Sequence, residues 1–154
     1  MKRSKRLQPV IDLARLKSRQ GLQAVAYMQK RVKEEQDKLA QLDAARDDYQ
    51  FTGKRAEQSF NAYYLKSFRD FAQNLELAMQ QQTGQVSAVE NQLQQVRKHW
   101  QILDAKYKSL VKTQAKIAAE ERQILVVQEQ KQQDEFVSQG IARFVSAARS
   151  RQNH

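Results

Sequence analysis

Apolar side chains recur along this chain in alternating steps of four and three. The first series runs Leu7, Ile11, Ala14, Ser18, Gly21, Val25, Met28, Val32, Glu35, Leu39, Leu42, Arg46, Tyr49. Nine of its thirteen positions are apolar, and Ser18, Gly21, Glu35 and Arg46 interrupt it. The second series is longer: Leu65, Phe68, Ala72, Leu75, Met79, Gln82, Val86, Val89, Leu93, Val96, Trp100, Leu103, Tyr107, Leu110, Gln114, Ile117, Glu121, Ile124. Fifteen of these eighteen positions are apolar. A straight α-helix drifts by about 20° per heptad against such a repeat. A seven-residue pattern held this long therefore predicts helices supercoiled against a partner.

Between the two series no apolar face can be drawn, and Thr52-Gly53-Lys54 lies in that gap. Gly53 suits the residue just past a helix end. The pattern predicts a first helix over about residues 7–50, a turn over about 51–60, a second helix over about 61–148, and a basic tail to 154. Two helices joined by a short loop pack antiparallel. The expected fold is all-α: one domain, a long two-helix antiparallel coiled-coil hairpin with a C-terminal helical overhang. Gly84 weakens the second helix by about 1 kcal/mol against alanine, but the heptad phase runs through it unbroken.

A turn centred near residue 56 sets Leu7 opposite about residue 105. The second helix would then project some forty residues, roughly 60 Å, past the first. Tyr107, Leu110, Ile117 and Ile124 stripe one face of that projection. Helices owe most of their stability to packing, so the stripe predicts a partner; a second copy of the chain is the other reading. Further on, Val137, Ile141, Phe144 and Ala148 form a new stripe one residue out of phase, with Arg143, Arg149 and Arg151 nearby. A basic amphipathic tail of this kind suits an anionic membrane surface or a partner's groove, and a frayed terminus is the alternative.

Charge sharpens this picture. The 154 residues carry a net charge of +10. Residues 1–20 hold seven Lys/Arg and one Asp, and residues 136–154 hold three Arg and no acid. The excess lies at the two ends, which suits a solvated coiled coil with basic tails better than a groove built along DNA. No signal peptide is recognisable behind the basic start, and the longest apolar runs are residues 24–28 and 124–127, far short of a membrane span. The expected location is the cytoplasm.

Little in the chain supports catalysis. There is no cysteine, so thiol chemistry and thiolate metal sites are excluded. His99 and His154 belong to no ligand cluster, and no nucleotide-binding or hydrolase motif occurs. Carboxylate pairs such as Glu34-Glu35, Asp47-Asp48 and Glu120-Glu121 lack the cleft that a general acid needs. Neither enzyme activity nor a cofactor or metal is expected. Glu35, Arg46 and Glu121 fall on seam positions, where polar residues specify register or mark looser places. Tyr49, Phe51, Phe60, Tyr63, Tyr64, Phe68 and Phe71 crowd around the proposed turn. Tyr49 and Phe68 have seam phase, whereas Tyr64 and Phe71 should be partly exposed. Such a cluster is either a protein-binding patch or a cap on the open end of the coiled coil.

Three stretches together resemble the FliJ family of the bacterial flagellar type III export apparatus. They are LAQLDAARDDYQ at residues 39–50, YLKSFRDFAQNLELAMQQQ at 64–82, and EQKQQDEFVSQ at 129–139. The resemblance implies a stalk like the two-helix gamma subunit of rotary ATPases. It implies binding to the hexameric flagellar export ATPase, to the cytoplasmic domain of the export gate and to export chaperones, at the inner membrane through those partners. Carried onto this chain, the gate-binding surface near the hairpin tip comprises Leu42, Tyr49, Phe71, Leu75, Ala78 and Gln82. Ala45 and Gln82 stand where the family pattern has a tyrosine and, in some members, a histidine. The ATPase-binding surface falls on the overhang: Tyr107, Leu110, Ile117, Ile124, Asp134, Glu135 and Phe144. The equivalent stalk of a virulence-type secretion system is the nearest rival reading. A basic coiled-coil nucleic-acid binder is the rival from another class, although no nucleic-acid partner is expected.

Overall fold

The computed structural model describes residues 2–59 and 62–153. It contains α1 (Arg3–Arg6), α2 (Gln8–Ser59) and α3 (Ala62–Gln152), and no strand among the described residues. Pro9 is the second residue of α2 and has no amide hydrogen to give, so it sits where a helix begins most cheaply. The chain groups into two compact units, one spanning Ala14–Ala105 and the other Met1–Leu13 with Lys106–His154.

In the first of these units α2 and α3 run antiparallel. Ser18 pairs with Asp104, Glu35 with Gln82 and Arg46 with Glu76, so the partner number falls as the first rises. The buried side chains are the members of the two heptad series. Ala14, Val25, Met28, Val32, Leu75, Val86 and Val89 are all buried, and Val89 is only 1% exposed. Met28, Val32 and Val89 form the centre of the core, with Leu93 and Val96 packed on them. Gly21 lies in the seam because a side chain would not fit: an added Cβ would stand 3.1 Å from Cδ1 and 3.3 Å from Cβ of Trp100.

The turn differs from expectation. Helix α2 does not stop near residue 50 but continues through Thr52-Gly53-Lys54 to Ser59, and no described glycine has positive φ. Gly53 is therefore a helical residue and no cap. The seam explains why. Tyr49 stacks on Phe68 at 4.6 Å between ring centroids, and the Phe68 ring lies 3.5 Å from where a Cβ of Gly53 would be, so packing continues beyond the last periodic residue. Tertiary contact here outweighs the weak helix preference of one glycine. The pairs Ser18–Asp104 and Arg46–Glu76 are centred on position 61, not 56. Phe60, counted above among the aromatic cluster, lies outside the described residues, as does His154.

The second unit pairs the start of the chain with α3. The Ser4 hydroxyl and amide both donate to the Glu121 carboxylate, at 2.7 and 3.2 Å. The Gln114 side-chain amide donates to the Ser4 carbonyl at 2.9 Å and to the Gln8 side-chain oxygen at 2.8 Å. Gln8 thus sits opposite Gln114, ten residues further along than the position 104 that a turn at 56 implies. Tyr107, Leu110 and Ile117 are consequently half-buried, and only residues 122–153 are exposed throughout. The unpaired helix is about 45 Å long rather than 60 Å.

Candidate partner-binding surfaces

The first surface is built around Tyr49. Its ring is held between Phe68 and Phe71, the second at 4.4 Å between centroids and tilted by 43°. Burial pushes the Tyr49 hydroxyl pKa up. Seam phase covers most of Phe68, whereas Phe71, on the neighbouring face of the helix, keeps 51% of its surface in solvent. An aromatic face therefore stands open beside the seam while its other side is fixed. A shallow groove of about 430 Å³ runs past Tyr49, lined by Arg46, Ala72, Leu75, Glu76 and Leu77. A second, of about 420 Å³, is lined by Tyr49, Gly53, Lys54, Leu65, Phe68 and Arg69. Tyr49 lines both. Nearby, Phe51 and Tyr63 are exposed, and the Arg55 guanidinium lies over the Phe51 ring at 5.2 Å.

Of the six residues expected here, Tyr49 and Phe71 come together. Leu75 lines the first groove from below but is buried at 9%, so it supports that groove more than it offers area to a partner. Leu42 and Ala78 are half-buried. Gln82 is engaged within the seam: its amide donates to the Glu35 carboxylate at 2.6 Å and to the Glu35 carbonyl at 2.9 Å. That bond holds the Glu35 carboxyl below its usual pKa, with Lys38 assisting and desolvation opposing. The periodic reading passed over Leu77, which is 56% exposed on the groove. A large apolar residue off the 3.5-residue register was the available signal. Arg46, singled out only as a seam irregularity, bonds Asp43 at 2.6 Å and Glu76 at 3.5 Å, and its Nε is buried with no partner.

The second surface is the unpaired part of α3. Ile124, Asp134, Glu135 and Phe144 lie on it, all exposed. Tyr107, Leu110 and Ile117 share the phase of Gln114 and Glu121, whose partners are Gln8 and Ser4. Those three belong to a covered face rather than an open one. The Ser4 hydroxyl holds the Glu121 carboxyl below its usual pKa. Ile124, Leu125, Val126 and Val127 follow one another and leave apolar surface on all sides of the helix.

Among the described residues no group of three or more His, Cys, Asp or Glu side chains could hold a metal ion, and no helix is long and apolar enough to cross a membrane. No curated protein and no solved structure matches the chain. A family profile does. Residues 3–145 match the family described as flagellar FliJ protein, which takes in both α2 and nearly all of α3. The match over nearly the whole length shows that this chain belongs to the FliJ family, and with it to flagellar protein export.

Proposed function

We propose that the protein is a cytoplasmic stalk that binds the hexameric export ATPase, couples it to the cytoplasmic domain of the export gate, and works without catalysis of its own. Contacts with export chaperones belong to the same reading, and attachment to the inner membrane apparatus would come through these partners. The observation that carries it is the helix over residues 122–152. It is exposed throughout and carries Ile124, Val126, Phe136, Ile141 and Phe144 in solvent. A soluble helix does not keep so many large apolar side chains without something to bury them. Ile124, Asp134, Glu135 and Phe144 are the ATPase-facing residues in this reading, and Tyr107, Leu110 and Ile117 help through the rigid pairing behind them. The surface at Tyr49 and Phe71 faces the gate, with Leu75 lining its groove and Leu42, Ala78 and Gln82 extending the gate-facing side along the hairpin.

The test is a titration into the cognate ATPase that follows ATP hydrolysis and particle size together. Hydrolysis rising as a hexameric complex appears supports the stalk. The assignment of ends has its own test: deletion of residues 136–154 should abolish ATPase binding, and unchanged binding sinks it. A nucleic-acid binder would instead shift DNA or RNA with an affinity that falls steeply in salt.

A further inference from the structure

We infer that residues 136–152 form a membrane-surface helix that binds anionic lipid directly, in addition to any protein contact. The segment is helical to Gln152 and exposed at every position. At about 100° per residue, Phe136, Val137, Ile141, Phe144, Val145 and Ala148 fall within one half of the helix circumference. Phe136 is 78% exposed and Phe144 75%. The other half carries Ser138, Gln139, Ser146 and Ser150. Arg143 and Arg149 lie at the two borders between the halves, where long stems can follow the apolar side while the guanidinium groups reach headgroup phosphates. Arg151 joins the apolar half only in the last turn, where its side chain can leave the helix end.

Two features select a lipid surface over a second copy of the chain. The apolar half here is about 180° wide, whereas a two-stranded seam needs only the narrower stripe of two positions in seven. There is also no acidic residue between Phe136 and the C-terminus. Two copies paired through this face would set Arg143 and Arg149 against arginines with no carboxylate to answer them, and like charges at flanking positions oppose pairing. An anionic bilayer meets both requirements: it accepts a wide apolar face a few ångströms deep and supplies the missing negative charge. A tail held inside an ATPase ring cannot lie on lipid at the same time, so lipid binding belongs to the free stalk.

Vesicle flotation of the full chain tests this, with no ATPase present. One vesicle set is pure phosphatidylcholine and the other contains a quarter phosphatidylglycerol. Because the segment packs on nothing else, Arg143→Gln with Arg149→Gln, and separately Ile141→Glu with Phe144→Glu, should leave the far-ultraviolet circular dichroism melt unchanged. Expected is flotation with anionic vesicles only, weakened roughly tenfold by either double variant. Absence of flotation overturns the inference and leaves the face to a protein partner. Flotation kept by both double variants also overturns it, since the charged start of the chain would then suffice, and so does flotation lost with the arginines but kept with the glutamates, since the apolar half would then not enter the bilayer. The stalk reading is judged separately, by ATP hydrolysis in a lipid-free assay.

Discussion

Gln82 reaches across the seam and donates both hydrogens of its side-chain amide to one residue, Glu35, at 2.6 Å to the carboxylate and 2.9 Å to the backbone carbonyl. A carboxylate in a coiled-coil seam loses water, and the amide replaces it in a geometry that only one register permits. The pair therefore acts as a register pin, at a cost against an apolar layer.

Breaking the pin on one side should be worse than removing it. Gln82→Leu leaves Glu35 in the seam with Lys38, at 3.3 Å, as its remaining partner, and should lower Tm. Glu35→Leu with Gln82→Leu replaces both groups by apolar side chains and should restore or raise Tm. A thermal melt of the two variants beside the parent checks this, and a double variant melting below the single would refute the pin.

The same contact sets an acid limb. The Glu35 carboxyl is held below its ordinary value of 4.5, chiefly by Gln82. Its folded pKa is thus the lower one, and the unfolded chain binds more protons in that window. Its contribution to stability is complete above the ordinary value and disappears as pH falls through the folded value. A plot of Tm against pH should therefore drop below about pH 4.5, and Glu35→Gln should flatten that drop while leaving the neutral range level.

Two glycines should respond with opposite signs. Nothing lies within 4 Å of a Cβ added at Gly84, so Gly84→Ala gains helix propensity freely. It should stabilise by about 1 kcal/mol. At Gly21 the added carbon meets Trp100 Cβ at 3.3 Å, an atom close to the backbone that cannot swing away. Gly21→Ala should lose by overpacking what it gains in propensity and end about 1 kcal/mol less stable. Urea denaturation of both variants decides the signs.

Burial should separate the two kinds of apolar side chain. Val89→Ala removes two methyl groups from a site 1% exposed and should cost about 2 kcal/mol. Ile124→Ser, at a site 57% exposed, should stay within about 0.5 kcal/mol of the parent. Its effect should appear instead in ATPase titrations.

Phe71→Ala removes the exposed ring of the Tyr49 cluster without opening the seam. Binding to the gate domain, followed by calorimetry, should weaken by about tenfold with little change in Tm. An unchanged affinity would move the gate contact elsewhere.

Much of this protein was written in its spacing. The 3.5-residue period is a property of neighbouring residues, so the list of seam positions could be read directly, and every described member from Leu7 to Glu121 is at least half-buried. The order of the FliJ motifs was legible for the same reason, as was the partial exposure of Phe71 and Tyr64. Register was not. Which residue of α2 faces which residue of α3 depends on matches across the pair, such as Ser18 with Asp104 and Gln8 with Gln114, and a heptad pattern is equally satisfied seven residues away. Tertiary packing carried α2 past Gly53 to Ser59, because the Tyr49 and Phe68 rings bury more than one glycine loses. It also covered Tyr107, Leu110 and Ile117, which periodicity alone had left open. Periodicity records that an apolar face will be buried; only the pairing of distant residues decides what buries it.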